Sequence, residues 1–115
     1  MSSILKDIKK LFGLQESDTS FDTDLIIDIN SVFTILKQLG VGPEAGFKIT
    51  GVEEIWEDFL PEGEQLELVK TYVYLRVKLM FDISTMTSPL IEVVKSQISE
   101  YEWRLNADSD PGWKK

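Results

Sequence analysis

The sequence predicts an all-α protein: a small four-helix bundle with a short β-strand or hairpin arm between the second and third helices. Three observations predict it. Apolar residues recur at three- and four-residue spacing in four separate stretches. Capping residues, glycines or prolines punctuate those stretches. Between the second and third stretch, Phe47-Lys48-Ile49-Thr50 alternates apolar and polar, as a short strand does.

The first helix is expected from about Ser3 to Phe12. Ser3 can cap it, Ile4, Leu5, Ile8, Leu11 and Phe12 form its apolar stripe, and Gly13 can end it. Lys6, Lys9 and Lys10 fall off that stripe. After the polar linker Leu14 to Ser20, a second helix runs from Phe21 or Asp22 to Leu39. Leu25, Ile29, Val32, Leu36 and Leu39 carry its period, and Ile26 and Phe33 widen the stripe. Asp22 and Asp24 at its start and Lys37 near its end complement the helix dipole.

Gln38 to Gly51 holds four of the seven glycines. Gly40 suits a helix stop, Gly42-Pro43 a turn, and Phe47 to Thr50 an extended arm. Glu53 to Phe59 is expected to form one or two helical turns, closed by Pro61 and Gly63. The third main helix, about Glu64 to Phe81, is apolar over most of its girth. Val69, Val73, Val77 and Met80 fill one side, and Leu68, Tyr72, Leu75 and Leu79 the other. Such a helix is packed by several neighbours. Arg76 lies between the two sides, as a snorkelling or ion-paired structural group or as a contact to a neighbouring subunit. Ser88-Pro89 reads as N-cap and first turn of the last helix. Ile91, Val94, Ile98, Tyr101 and Leu105 make a seam for packing on another helix. Residues 1–106 thus form the helical domain, and residues 107–115 an aperiodic tail expected to be flexible. Trp113 in that tail either folds back or is held for a partner.

Composition removes whole classes of chemistry. The chain has 115 residues, one domain's worth, and neither cysteine nor histidine. Disulfides, thiolate nucleophiles, thiolate zinc sites and imidazole acid–base catalysis are therefore excluded. No apolar run is long enough for a membrane span. The lysine-interrupted N-terminus reads as an amphipathic helix, not a signal peptide, so the chain is expected in a cytoplasm. The net charge is -8, with acids in blocks at residues 15–28 and 53–67 that contain no Lys or Arg. High-affinity wrapping of DNA needs the opposite sign. The blocks read as a solvated acidic face, or as a surface that repels DNA or meets a basic partner.

The glycine loop does not read as a phosphate cradle. A dinucleotide site needs strand, glycine turn, then helix; here a helix precedes the glycines. The helix end facing such a loop would repel phosphate. The P-loop Gly-Lys-Ser/Thr is also missing. The pairs Asp22/Asp24 and Asp108/Asp110 lack the remaining frame of a calcium loop. Tyr72, Tyr74, Tyr101, Trp103 and Phe81 lack an interleaved basic groove, so core packing is the stronger reading over base stacking.

The ordered segments "DTSFDTDLIIDINSVFTILKQLGVGP", "FKITG", "LVKTYVYLRVKLMFD" and "SPLIEVVKSQISEYEWRLN", with Trp56, Asp58, Phe59 and Leu60 between the second and third, resemble head–tail connector proteins of long-tailed bacteriophages and prophages. The resemblance covers about residues 3–106 and rests on segment order, without a catalytic signature. It implies a structural virion protein with no reaction and no cofactor. Such adaptors assemble as a ring, often of twelve subunits, between the portal and a tail-side completion protein. The ring lies at the head–tail junction after assembly in the host cytoplasm, and DNA is only passing cargo. In that setting Gly42, Pro43, Phe47, Lys48, Ile49, Arg76 and Trp113 are the expected subunit or portal contacts. Glu53, Glu54, Glu57 and Asp58 are the expected channel-facing acids. Deleting Pro43 to Gly46 is expected to leave the monomer folded and impair assembly. Two alternatives stand beside this reading. One is an acidic helical regulator that binds a basic DNA-binding protein or mimics DNA; the other is a small carboxylate-dependent hydrolase, for which no particular carboxylate pair stands out.

Overall fold

The computed structural model describes residues 2–109, and these are mostly helical. Five α-helices follow one another: α1 (Ile4–Leu11), α2 (Asp22–Gln38), α3 (Trp56–Phe59), α4 (Glu64–Asp82) and α5 (Ser88–Ser109). A 3-10 turn, Ile83–Thr85, joins α4 to the approach of α5. The all-α expectation holds. The expected four-helix bundle is not what is seen: the described residues form five α-helices, of which α3 has only four residues.

Local chemistry explains most boundaries. The Lys6 backbone N–H donates to Ser3 Oγ at 3.3 Å, so Ser3 is the N-cap of α1. Gly13 follows α1 with φ +75°, the left-handed conformation expected of a helix stop. The last helix is capped one residue earlier than expected. Thr87 accepts from the Leu90 N–H through Oγ1 at 3.3 Å and from Ile91 through its carbonyl at 2.9 Å. Ser88 and Pro89 thus both lie inside the first turn of α5. At its other end α5 reaches Ser109, a few residues past the expected Leu105 or Asn106.

Helix α4 is the hub and packs against both α2 and α5. Leu66, Val69, Tyr72, Val73, Leu75 and Val77 are buried, so both of its sides are covered. Met80 is the exception at 37% exposure, because it lines an open groove between the end of α4 and the start of α2. Phe21, at the start of α2, meets Phe81, at the end of α4, edge-to-face at 5.4 Å. Glu102, late in α5, meets Tyr72 and Arg76, midway along α4. Phe33, late in α2, meets Phe59 just before α4 begins, so α2 runs antiparallel to α4. The six-residue step from Asp82 to Ser88 is too short to carry α5 back to the start of α4, so α5 is antiparallel as well. The predicted α5 seam is observed, with Val94, Ile98 and Leu105 buried and Ile91 and Tyr101 partly so.

The expected strand at Phe47–Thr50 does not form, and no strand occurs among the described residues. The segment is held by a side chain instead. The Ile49 N–H donates to Asn30 Oδ1 at 2.7 Å, and Asn30 Nδ2 donates to the Ile49 carbonyl at 2.9 Å. The Asn30 carboxamide offers the donor and acceptor that a neighbouring strand would have offered. Among the described residues β-like pairing is limited to an isolated antiparallel bridge between Ser3 and Ile55, flanked by Ile4 N–H to Glu54 O at 3.0 Å.

Helix α1 also departs from its predicted stripe. Leu11 is 56% exposed, whereas Lys9 is 1% exposed. Lys9 Nζ donates to the carbonyls of Glu16 at 3.1 Å and Asp18 at 2.7 Å, and pairs with Asp22 Oδ1 at 2.9 Å. The linker after α1 folds over this ammonium and supplies oxygens, which makes burial of a lysine tolerable. Lys9 therefore pins the linker and the start of α2 to α1.

Candidate assembly surfaces

The glycine loop is an arm anchored at both ends. Gly42 has φ +91°, and a Cβ built there would lie 2.3 Å from Phe59 Cε1. Only glycine lets the backbone pass so close to that ring. Phe47 stacks edge-on against Phe33 at 5.0 Å and Phe59 at 5.4 Å, closing an aromatic cluster. Ile49 is buried, clamped by Asn30 as described. The tip between these anchors is a turn closed by Gly46 N–H to Pro43 O at 2.9 Å. Pro43, Glu44, Ala45, Lys48 and Thr50 are exposed. The sequence-predicted contact residues thus divide: Pro43 and Lys48 face solvent, whereas Gly42, Phe47 and Ile49 pack on their own chain.

Arg76 sits in a closed network between α4 and α5. Its Nε donates to Tyr72 Oη at 3.1 Å, its Nη2 pairs with Glu102, and Tyr72 Oη donates to the same carboxylate at 2.7 Å. Burial works against ionisation of Glu102, but the hydrogen bonds from Arg76 and Tyr72 outweigh it and hold its carboxyl below the ordinary range. Burial, reinforced by Glu102, pushes the Tyr72 phenol above its ordinary range. Arg76 Nε and Nη2 and the Tyr72 hydroxyl all find partners within the chain, so the network serves as a latch between two helices. This is the ion-paired reading of Arg76.

The four acids of residues 53–58 also have separate roles. The Glu54 carboxylate accepts from Thr50 N–H at 3.0 Å, Thr50 Oγ1 at 2.8 Å and Gly51 N–H at 3.4 Å. Asp58 accepts from the Ile55 N–H at 3.0 Å and closes the start of α3. Glu53 is exposed and Glu57 half-buried. Trp56 is buried, with its Nε1–H donated to Asp7 Oδ2 at 2.8 Å. The acids are therefore not a uniform row that imitates phosphates. Two of them organise the loop into α3.

Among the described residues, the most exposed large apolar side chain escaped the sequence reading. Trp103 is 70% exposed on the outer face of α5; Val93, at 53%, is also off the seam, whereas Leu90, at 42%, lies at the seam's edge near the start of the helix. Helical spacing and the lack of an interleaved basic groove had suggested core packing. The available signal was register, because Trp103 falls off the Ile91–Val94–Ile98–Tyr101–Leu105 seam and so points away from α4. Trp113 lies outside the described residues.

No group of His, Cys, Asp or Glu suited to a metal ion occurs among the described residues. Among the same residues, no helix is long and apolar enough to cross a membrane. What the surface offers is an anchored arm, an exposed tryptophan on α5 and an open groove between α2 and α4. These features define a small all-α protein equipped for protein–protein contact. The family model for phage connector proteins matches residues 4–112, and the chain belongs to that family. The family carries a structural role as a head–tail connector, not a catalytic one. The match extends past Asn106, where the sequence resemblance stopped. No curated protein and no solved structure matches the chain.

Proposed function

We propose that this connector protein is an adaptor that assembles as a closed ring below the portal and extends the DNA channel toward the tail. The observation that carries the ring is the outer face of α5. Its inner seam is already occupied by the chain's own core, yet Trp103 is left 70% exposed on the opposite side, and Val93 is also exposed off the seam. An exposed aromatic on a regular helix is a typical interface anchor. The arm tip, with Pro43 and Lys48, is a second contact to a neighbouring subunit or to portal. Gly42, Phe47 and Ile49 support that contact by fixing the arm from beneath. Arg76 acts through the α4/α5 latch, which keeps α5 in position to present its outer face. Glu53 and Asp58, both exposed, are the best placed of the acidic group to line a channel that DNA slides past without sticking.

The test is assembly in the presence of portal. Mass measurement in solution and imaging of portal-containing particles should find rings of the wild-type chain. Trp103→Glu should fold as wild type and fail to form them. A chain that stays monomeric at high concentration and never joins portal-containing particles overturns the reading.

A further inference from the structure

The open groove between the start of α2 and the end of α4 has a distinctive make-up. It is lined by Phe21, Asp24, Ile27, Asp28, Met80 and Phe81 and encloses about 470 Å³. Phe21 is 41% exposed, Ile27 58% and Met80 37%. Its floor continues an aromatic ladder, in which Phe81 stacks on Phe12 at 5.5 Å and Phe12 meets Tyr74 at 5.5 Å. Its rim carries two carboxylates. Among the described residues neither Asp24 nor Asp28 has an ion pair. Burial, with the Asp24 charge adding to it, pushes the Asp28 carboxyl above its ordinary range. Apolar and aromatic below, uncompensated negative charge above: this groove fits an aromatic side chain followed by cations.

The chain itself contains that sequence, Trp113-Lys114-Lys115. We propose that Trp113-Lys114-Lys115 of one copy docks in the α2/α4 groove of a neighbouring copy, with the indole against Phe21, Ile27 and Phe81 and the lysines on Asp24 and Asp28.

Reach decides between the chain's own groove and a neighbour's. Asn106 Nδ2 donates to the Leu39 carbonyl at 3.3 Å, so the end of α5 lies beside the end of α2. The groove lies at the opposite end of α2. Ile27 is roughly 18 Å from Leu39 along the axis, at 1.5 Å per residue. Helix α5 continues to Ser109, away from the groove, which adds about 4.5 Å at the same rise. From Ser109 to Trp113 the backbone spans at most about 14 Å fully extended. It falls short of its own groove, whereas a neighbouring copy is under no such limit.

The proposal deepens the ring reading, because it supplies a contact between subunits. The absence of cysteine from the chain makes the test direct. The chain carrying Ile27→Cys and a size tag is mixed with an untagged chain carrying Gly112→Cys, which keeps Trp113, and oxidised. The expected result is a mixed disulfide in severalfold excess over that formed by a Thr71→Cys control with Gly112→Cys. Reversing the tail charges (K114E, K115E) should reduce the excess, and adding D24K and D28K to the partner should restore it. Equal cross-linking at Ile27 and Thr71 overturns the proposal. So does a double-cysteine chain that closes within one copy at high dilution. Rings that form normally from Trp113→Ala also overturn it while leaving the ring reading intact. A wild-type chain absent from portal-containing particles counts against the ring reading alone, since the cross-link reports tail docking by itself.

Discussion

Asn30→Ala tests how the glycine-rich arm is held. Asn30 gives the arm a two-point clamp, Ile49 N–H to Oδ1 at 2.7 Å and Nδ2 to the Ile49 carbonyl at 2.9 Å. Alanine removes both bonds and leaves a backbone donor and acceptor without partners beside a buried side chain. Each such bond contributes about 0.5–1.5 kcal/mol net. The site is only partly buried, so water recovers some of the loss. The expected cost is about 2 kcal/mol, which lowers Tm by roughly 8 °C in a chain of this size. Urea and thermal unfolding of the monomer are the assays. Asn30→Asp is the informative control, because it keeps the acceptor for the Ile49 N–H and loses the donor to the carbonyl. It should also lose stability, since a carboxylate would then face the carbonyl oxygen. If Asn30→Ala unfolds within about 0.5 kcal/mol of wild type, as an ordinary surface change does, the arm is held by Phe47 and Ile49 packing alone and the clamp argument fails.

Other consequences of the structure can be measured in the same way. Gly42→Ala combines a left-handed φ with a Cβ 2.3 Å from the Phe59 ring, and should cost on the order of 2–4 kcal/mol in urea unfolding; wild-type stability would mean that the ring moves freely aside. Lys9→Ala removes the shared partner of two carbonyls and the Asp22 carboxylate, and should cost about 3 kcal/mol, whereas Lys6→Ala on the exposed side should change little. The depressed Glu102 carboxyl implies stability that is present above the ordinary glutamate range and lost as pH falls through the lower folded value. Glu102→Gln should therefore flatten the acid limb of the stability profile, and an unchanged acid limb would remove the latch from the account.

Element types and most boundaries were legible from local signals. Ser3 as a cap, Gly13 as a stop, the α2 stripe, the all-round apolar α4 and the α5 seam follow from periodicity and capping chemistry, which act within a few residues. The Thr87 cap was missed because Ser88-Pro89 is an equally good local signal, and the choice between them depends on how the 3-10 turn delivers the chain. The candidate surfaces were less legible. Alternation suggested a strand at Phe47–Thr50, but a strand needs a partner, and the partner here is one side chain nineteen residues earlier. Arg76 was correctly read as an ion-pair candidate, while its acid, Glu102, lies on another helix.

The sequence by itself determined the class of fold, the absence of thiol and imidazole chemistry, the acidic character and the order of segments that mark a connector protein. These depend on which residues are present and on spacing along one helix. Tertiary structure alone decided which charges are internal and which apolar groups are left outside. Lys9 is buried because a distant loop closes over it, and Ile49 because Asn30 clamps its backbone. Trp103 is exposed because the opposite face of α5 is the one that meets α4. Burial belongs to pairs of elements, and the energy that selects those pairs comes from contacts far apart in the chain.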